Sequence, residues 1–173
     1  PTFPADVVAR LVDFIRRLED AVRVKKEFGR LGGPWECNVR DITRFCSVCE
    51  CSTLSTLPKK MREAAEVVFV ARFRSLADQD RARSLWRTLV ERDTPVDLAP
   101  ALLSVRPNSV SVGGISVPAR PLPGQSKDAI VAGQLAALKA VLCGVQQQTL
   151  VTLTGTQHVG KASVARTAAA LTG

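Results

Sequence analysis

Between Pro4 and Phe28 the apolar positions Val8, Leu11, Val12, Ile15, Leu18 and Val22 recur at helical spacing, one stripe facing a core. Pro4 suits a first-turn position and Asp6 suits the positive helix end. Gly29, Gly32 and Gly33 break this helix, and Pro34 fixes the turn that follows. A second helix is predicted from Asn38, an N-cap residue with Asp41 three positions on, burying Val39, Ile42, Phe45 and Val48 or Cys49. Ser52 to Leu57 is a polar connection. Pro58 opens a third helix to about Arg74, with Met61, Ala65, Val68 and Phe69 inward. Asp78 to Arg92 makes a fourth, with Leu85, Trp86 and Leu89 as its buried edge. As far as residue 96 the pattern is that of a small helical unit.

The pattern then changes. Thr94 to Gln125 holds most of the prolines, and alternation around Gly113-Gly114, from Ser109 to Val117, is a hairpin signal. Ser126 with Asp128 is expected to cap a helix running to about Cys143 and stopped by Gly144. Thr149-Leu150-Val151-Thr152-Leu153-Thr154 reads as a buried strand, and Ala162 to Leu171 as a helix. The expected organisation is a helical unit at 1–96, a linker with a β-hairpin at 97–126, and an incomplete α/β core at 127–173.

Between that strand and the last helix lies Gly155-Thr156-Gln157-His158-Val159-Gly160-Lys161-Ala162-Ser163. Strand, glycine loop, Lys and helix N-terminus together are the context of a phosphate-binding loop. Backbone N–H groups and the positive helix end face phosphate oxygens, and the Lys ammonium reaches the outer phosphates. The expected cofactor is ATP. One position departs from the pattern: Ala162 stands where a Ser or Thr hydroxyl would ligate Mg²⁺. Ser163 is displaced by a helical step of roughly 100°. Nucleotide binding is therefore expected, with Mg²⁺-dependent hydrolysis impaired. The chain stops at Gly173, before any acidic strand that could hold the metal, and it opens without an initiator Met or an apolar leader. It reads as an excised piece that should not hydrolyse ATP alone.

Composition narrows the rest. Apolar residues make 46% and charged residues 23%, as in globular proteins, and no apolar run is long enough to span a membrane. The net charge of +8 invites a nucleic-acid reading, but the basic residues interleave with acids along helices. There is no Tyr, and six Phe with two Trp leave little for base stacking, which argues against direct single-strand recognition. Five cysteines, an odd number, point to reduced thiols. Cys46, Cys49 and Cys51 do not repeat as zinc-ligand pairs do, so they read as small buried hydrophobes and no metal site is assigned.

A helical bundle that precedes a phosphate loop is the order expected where one AAA+ module ends in its helical lid and the next begins. The segment Gly33-Pro34-Trp35-Glu36-Cys37-Asn38-Val39-Arg40-Asp41 closely resembles the Gly-Pro-Trp-Glu-Phe-Asn-Leu-Arg-Asp stretch in lids of the midasin family, the dynein-related AAA+ ATPases of large ribosomal subunit assembly. The opening Pro-Thr-Phe-Pro, the Met61 to Arg87 region and Val159-Gly160-Lys161 resemble the family in the same order.

The resemblance implies a fold that is mainly α with a small α/β part. An AAA+ helical lid would precede the first elements (hairpin, helix, strand, P-loop, helix) of a P-loop NTPase core. It makes Arg40 the lid sensor, a guanidinium that reaches the nucleotide of its own module, while Lys161 serves the nucleotide of the next. Arg44 is a second candidate, and Trp35 a core anchor for the lid turn. By the same resemblance the partners are neighbouring AAA+ modules, precursor large (pre-60S) ribosomal particles and assembly factors, in the nucleolus and nucleoplasm of the nucleus. The alternative is a basic helical scaffold or RNA-binding module with a degenerate glycine loop.

Overall fold

The computed structural model describes residues 3–31, 33, 35–92, 96–98, 100–120 and 131–173. The chain forms two compact units, Pro1–Glu50 with Thr56–Asp97, and Cys51–Ser55 with Leu98–Gly173.

In the first unit α1 (Ala5–Glu19) continues into a π-helical turn, Asp20–Val24. Next come α2 (Val39–Cys51) and α3 (Leu57–Val68), which ends in a 3-10 turn, Val70–Arg72. The last helix, α4 (Leu76–Trp86), also runs into a π-helical turn, Arg87–Glu91. Each helix contributes to one aromatic cluster. Phe14 of α1 meets Phe69, at the end of α3, with ring centroids 5.5 Å apart, and Trp86 of α4 at 5.0 Å, both edge-on. Phe45 of α2 lies 5.8 Å from Phe69 and 5.9 Å from Trp86. All four rings are fully buried. Edge-on pairs set the electropositive rim of one ring against the face of the next, adding about 0.5–1.5 kcal/mol each beyond area burial.

The predicted stripes hold with local shifts. Leu11, Ile15, Leu18 and Val22 are buried, but the stripe of α1 also includes Phe14, and Val8 is exposed. On α4 the inward line is Ala82, Trp86 and Val90, with Leu85 and Leu89 only half-buried. A π-helical turn is wider than an α-turn, so Val90 rather than Leu89 follows Trp86 to the core. On α2 Val39 is 76% exposed, because the inward place in the first turn goes to Asp41, which is 4% exposed.

In the second unit β1 (Leu103–Arg106), β2 (Ser109–Val112) and β3 (Ile115–Pro118) form an antiparallel meander. Leu103 faces Val112, and Val112 faces Ile115 across the Gly113-Gly114 turn. The hairpin is present, with a third strand beside it. Val110, Val112, Ile115 and Val117 point to one face and are buried, where α5 (Leu135–Gln147) packs. Thr53 is tied to the meander through N–H and hydroxyl bonds to the Gly114 carbonyl, at 2.8 and 3.1 Å. After α5, α6 (Lys161–Thr172) closes the unit against it.

Two expectations fail here. Gly144 does not stop α5, which continues to a left-handed Gln148. Its lack of a side chain serves a crossing instead: a Cβ there would lie 2.1 Å from Val151 Cγ2. The predicted strand 149–154 makes no ladder with any described residue, and Leu150 is 91% exposed. A strand is defined by a neighbour that takes its N–H and C=O groups, and alternation alone cannot supply one. The Ser126 and Asp128 cap lies outside the described residues.

Alanine in a helix interior normally stabilises relative to glycine by about 1 kcal/mol. At Gly144 the sign should reverse. Gly144→Ala is expected to cost about 1–3 kcal/mol through overpacking against Val151, read as a lowered urea midpoint with an unchanged slope. A raised midpoint would contradict the crossing.

Candidate functional site

The loop preceding α6 is short and irregular, and three of its residues take positive φ: Gly155 at +151°, His158 at +62° and Gly160 at +82°. A left-handed histidine is uncommon and costs on the order of 1 kcal/mol, strain of the kind found in tight functional turns. Gly160 is the N-cap of α6, and its carbonyl accepts from the Val164 N–H at 3.0 Å. The N–H groups of the first α6 turn therefore have no acceptor further back in the helix.

Lys161 reaches back across the loop mouth. Its Nζ donates to the carbonyls of Gly155, at 3.0 Å, and Thr156, at 2.5 Å. Residues 155–161 thus form a ring closed by one ammonium. Thr156, Gln157, His158 and Val159 are exposed, Ala162 is exposed on the first turn of α6, and Ser163 is half-buried beside it. The structure therefore gathers Gly155 to Ser163 into one turn at a helix N-terminus. Gln134, from the 3-10 turn before α5, also touches the loop, donating from Nε2 to the Val159 carbonyl at 3.4 Å. It lies 25 residues from Val159, with nothing local in the sequence to mark it.

Arg40 belongs to the other compact unit. The Asn38 side-chain oxygen accepts from the Arg40 N–H at 3.0 Å, and the Asp41 carboxylate accepts from the Asn38 N–H at 3.1 Å. This reciprocal pair fixes the entry of α2. The Arg40 side chain itself is exposed, without a hydrogen bond or ion pair to another described residue. The charge that Asp41 needs comes from Arg72, whose Nη2 lies 2.8 Å from it and whose Nη1 donates to the Glu36 carbonyl at 3.3 Å. Arg72 escaped the sequence reading because it lies 31 residues from its partner. Arg44 is half-buried on α2. Trp35 stacks on Phe73 with centroids 4.8 Å apart and donates its Nε1–H to the Gly29 carbonyl, an anchor for the turn into α2.

The Midasin AAA lid domain family matches residues 2–91. The chain belongs to the midasin family. The match covers α1 to α4 and both π-helical turns, so the helical unit is a midasin lid, and a second compact unit follows it. Midasin of Dictyostelium discoideum is 23% identical over 132 residues, which cover 68% of this chain and 2% of that protein. Midasin of Giardia intestinalis is 25% identical over 193 aligned residues, which cover 95% of this chain and 4% of that protein. The chain thus spans about one twenty-fifth or less of the curated relatives it matches.

Among the described residues no cluster of His, Cys, Asp or Glu is placed to hold a metal ion, and no helix is long and apolar enough to cross a membrane. The five cysteines are free thiols. Burial pushes Cys37 and Cys46 above the usual thiol range and pushes Cys49, packed in the midasin lid core, to about 12.

A raised folded-state value means the unfolded thiol ionises first as pH rises. Stability from Cys49 is fully present below pH 9 and is lost between 9 and 12. The slope should be up to about 1.4 kcal/mol per pH unit for this thiol. Denaturation midpoints of wild type and Cys49→Ala should converge from pH 9 to 11. Parallel curves would refute it.

Proposed function

We propose that loop 155–163 binds the phosphates of a nucleotide, ATP or ADP, and that the chain is a joint between two modules of a midasin-type ATPase. The observation that carries this reading is the Lys161 ammonium spanning the loop mouth at the N-terminus of α6. An ammonium has three donors. Two go to carbonyls 155 and 156, which closes the loop into a ring, and the third is left for a phosphate oxygen. The helix end adds unpaired N–H groups and roughly half a positive charge, which favour an anion at that point.

Hydrolysis is a separate matter. Ala162 supplies no oxygen to Mg²⁺, so the metal would rest on phosphate and water. We assign this loop binding without efficient turnover. Arg40 is the candidate for the other nucleotide: its backbone is fixed by the Asn38 cap while its guanidinium is exposed, as a lid sensor requires. By family membership the whole protein would spend ATP on remodelling precursor large ribosomal subunits in the nucleus, with assembly factors and neighbouring AAA+ modules as partners.

Calorimetric titration with ADP and ATP tests the loop. Lys161→Ala should weaken binding at least tenfold, since it removes a charged hydrogen bond worth about 1.5–3 kcal/mol. Ala162→Thr should make affinity depend on Mg²⁺, which the wild type should not show. No steady-state turnover is expected from the wild-type chain; turnover abolished by Lys161→Ala would overturn the assignment. Tight RNA binding that falls steeply with salt, with no nucleotide binding, would favour the basic scaffold instead.

A further inference from the structure

The phosphate loop is braced from outside by a side chain that no motif marks. Gln134 sits in the 3-10 turn Ala132–Gln134, immediately before α5. Its backbone N–H bonds the Val131 carbonyl at 2.8 Å, and its Oε1 accepts from the Val131 N–H at 3.4 Å. One end of the amide is thus tied to its own turn. The other end, Nε2, donates to the Val159 carbonyl at 3.4 Å. The same nitrogen would lie 1.9 Å from a Cβ built on Gly160, so the amide rests directly against that glycine's backbone. Gly160 is therefore required twice, by its φ of +82° and by the side chain seated where a Cβ would be.

A trans peptide is planar, so its C=O and N–H point in opposite directions. The group joining Val159 to Gly160 has its carbonyl turned to Gln134, which leaves the Gly160 N–H on the far side. That N–H lies one residue before Lys161, whose ammonium spans the mouth. We infer that Gln134 is the positioning residue of the phosphate loop: it holds the Val159–Gly160 peptide so that the Gly160 N–H is presented to a phosphate oxygen of a nucleoside di- or triphosphate. This rests on the nucleotide-binding reading of residues 155–163. It also couples the loop to α5, because any movement of the 132–134 turn moves the donor that fixes the peptide.

The test uses the full chain with ADP as probe and three variants. Gln134→Met keeps most of the bulk against Gly160 but removes the donor. Gln134→Glu replaces the donor with an oxygen facing the Val159 carbonyl, and Gln134→Ala removes both bulk and bond. A neutral hydrogen bond contributes about 0.5–1.5 kcal/mol, which is a two- to tenfold change in affinity. ADP binding should weaken about three- to tenfold in Gln134→Met and more in Gln134→Glu. The Gly160 amide resonance should move in all three variants, even without ligand, while the thermal transition stays within a few degrees. A merely structural residue would lower that transition and leave the amide signal and the affinity of the still-folded protein in place. ADP binding by wild type with unchanged affinity in Gln134→Met and Gln134→Glu overturns the role of Gln134 alone. Absence of ADP binding by wild type overturns the loop reading and this inference with it.

Discussion

The first unit depends on the contact among Phe14, Phe45, Phe69 and Trp86. Each ring comes from a different helix, so the cluster is where four amphipathic segments agree on one centre. Its polar edge is also used. The Trp86 Nε1–H bonds Glu91 at 3.0 Å, and Glu91 takes a second bond from Arg62 at 2.7 Å. Buried charges of this kind stabilise little on net, but removing one partner is costly because the other charge is left buried and unpaired. The π-helical turn at Arg87–Glu91 lets one helix deliver both Val90 and Glu91 to this neighbourhood.

From that centre the lid turn is built outward. Phe73 carries the order from the core to Trp35, and Arg72 beside it neutralises Asp41. Asp41 thus takes Arg72 on one carboxylate oxygen and the Asn38 N–H on the other. The effect is a division of labour among neighbours: Trp35, Asn38 and Asp41 hold the backbone, and Arg40 projects.

Much of the helical unit was legible in the sequence, because its periodicity runs over long segments and Asn38 with Asp41 is a local cap. Val39 misled, since hydropathy ranks it as core while an ion pair with the distant Arg72 claims the inward place for Asp41. Leu85 and Leu89 misled for a geometric reason, a widened turn that periodicity at 3.6 residues does not anticipate. The turn 155–163 and the helix after it were legible as a string of residue types, but the bonds from Lys161 to the Gly155 and Thr156 carbonyls were not, since a lysine's reach back into its own loop leaves no mark in that string. Gln134 was not, since its role exists only where α5 passes the loop. Gly144 was read as punctuation, whereas its smallness serves a crossing with Val151 that tertiary structure alone reveals.

Segment 149–154 leads into the loop before α6, with Leu150 facing solvent and no charged residue along its length. Among the described residues no strand lies beside it, so a polypeptide stretch laid along it would gain hydrogen bonds and cover Leu150.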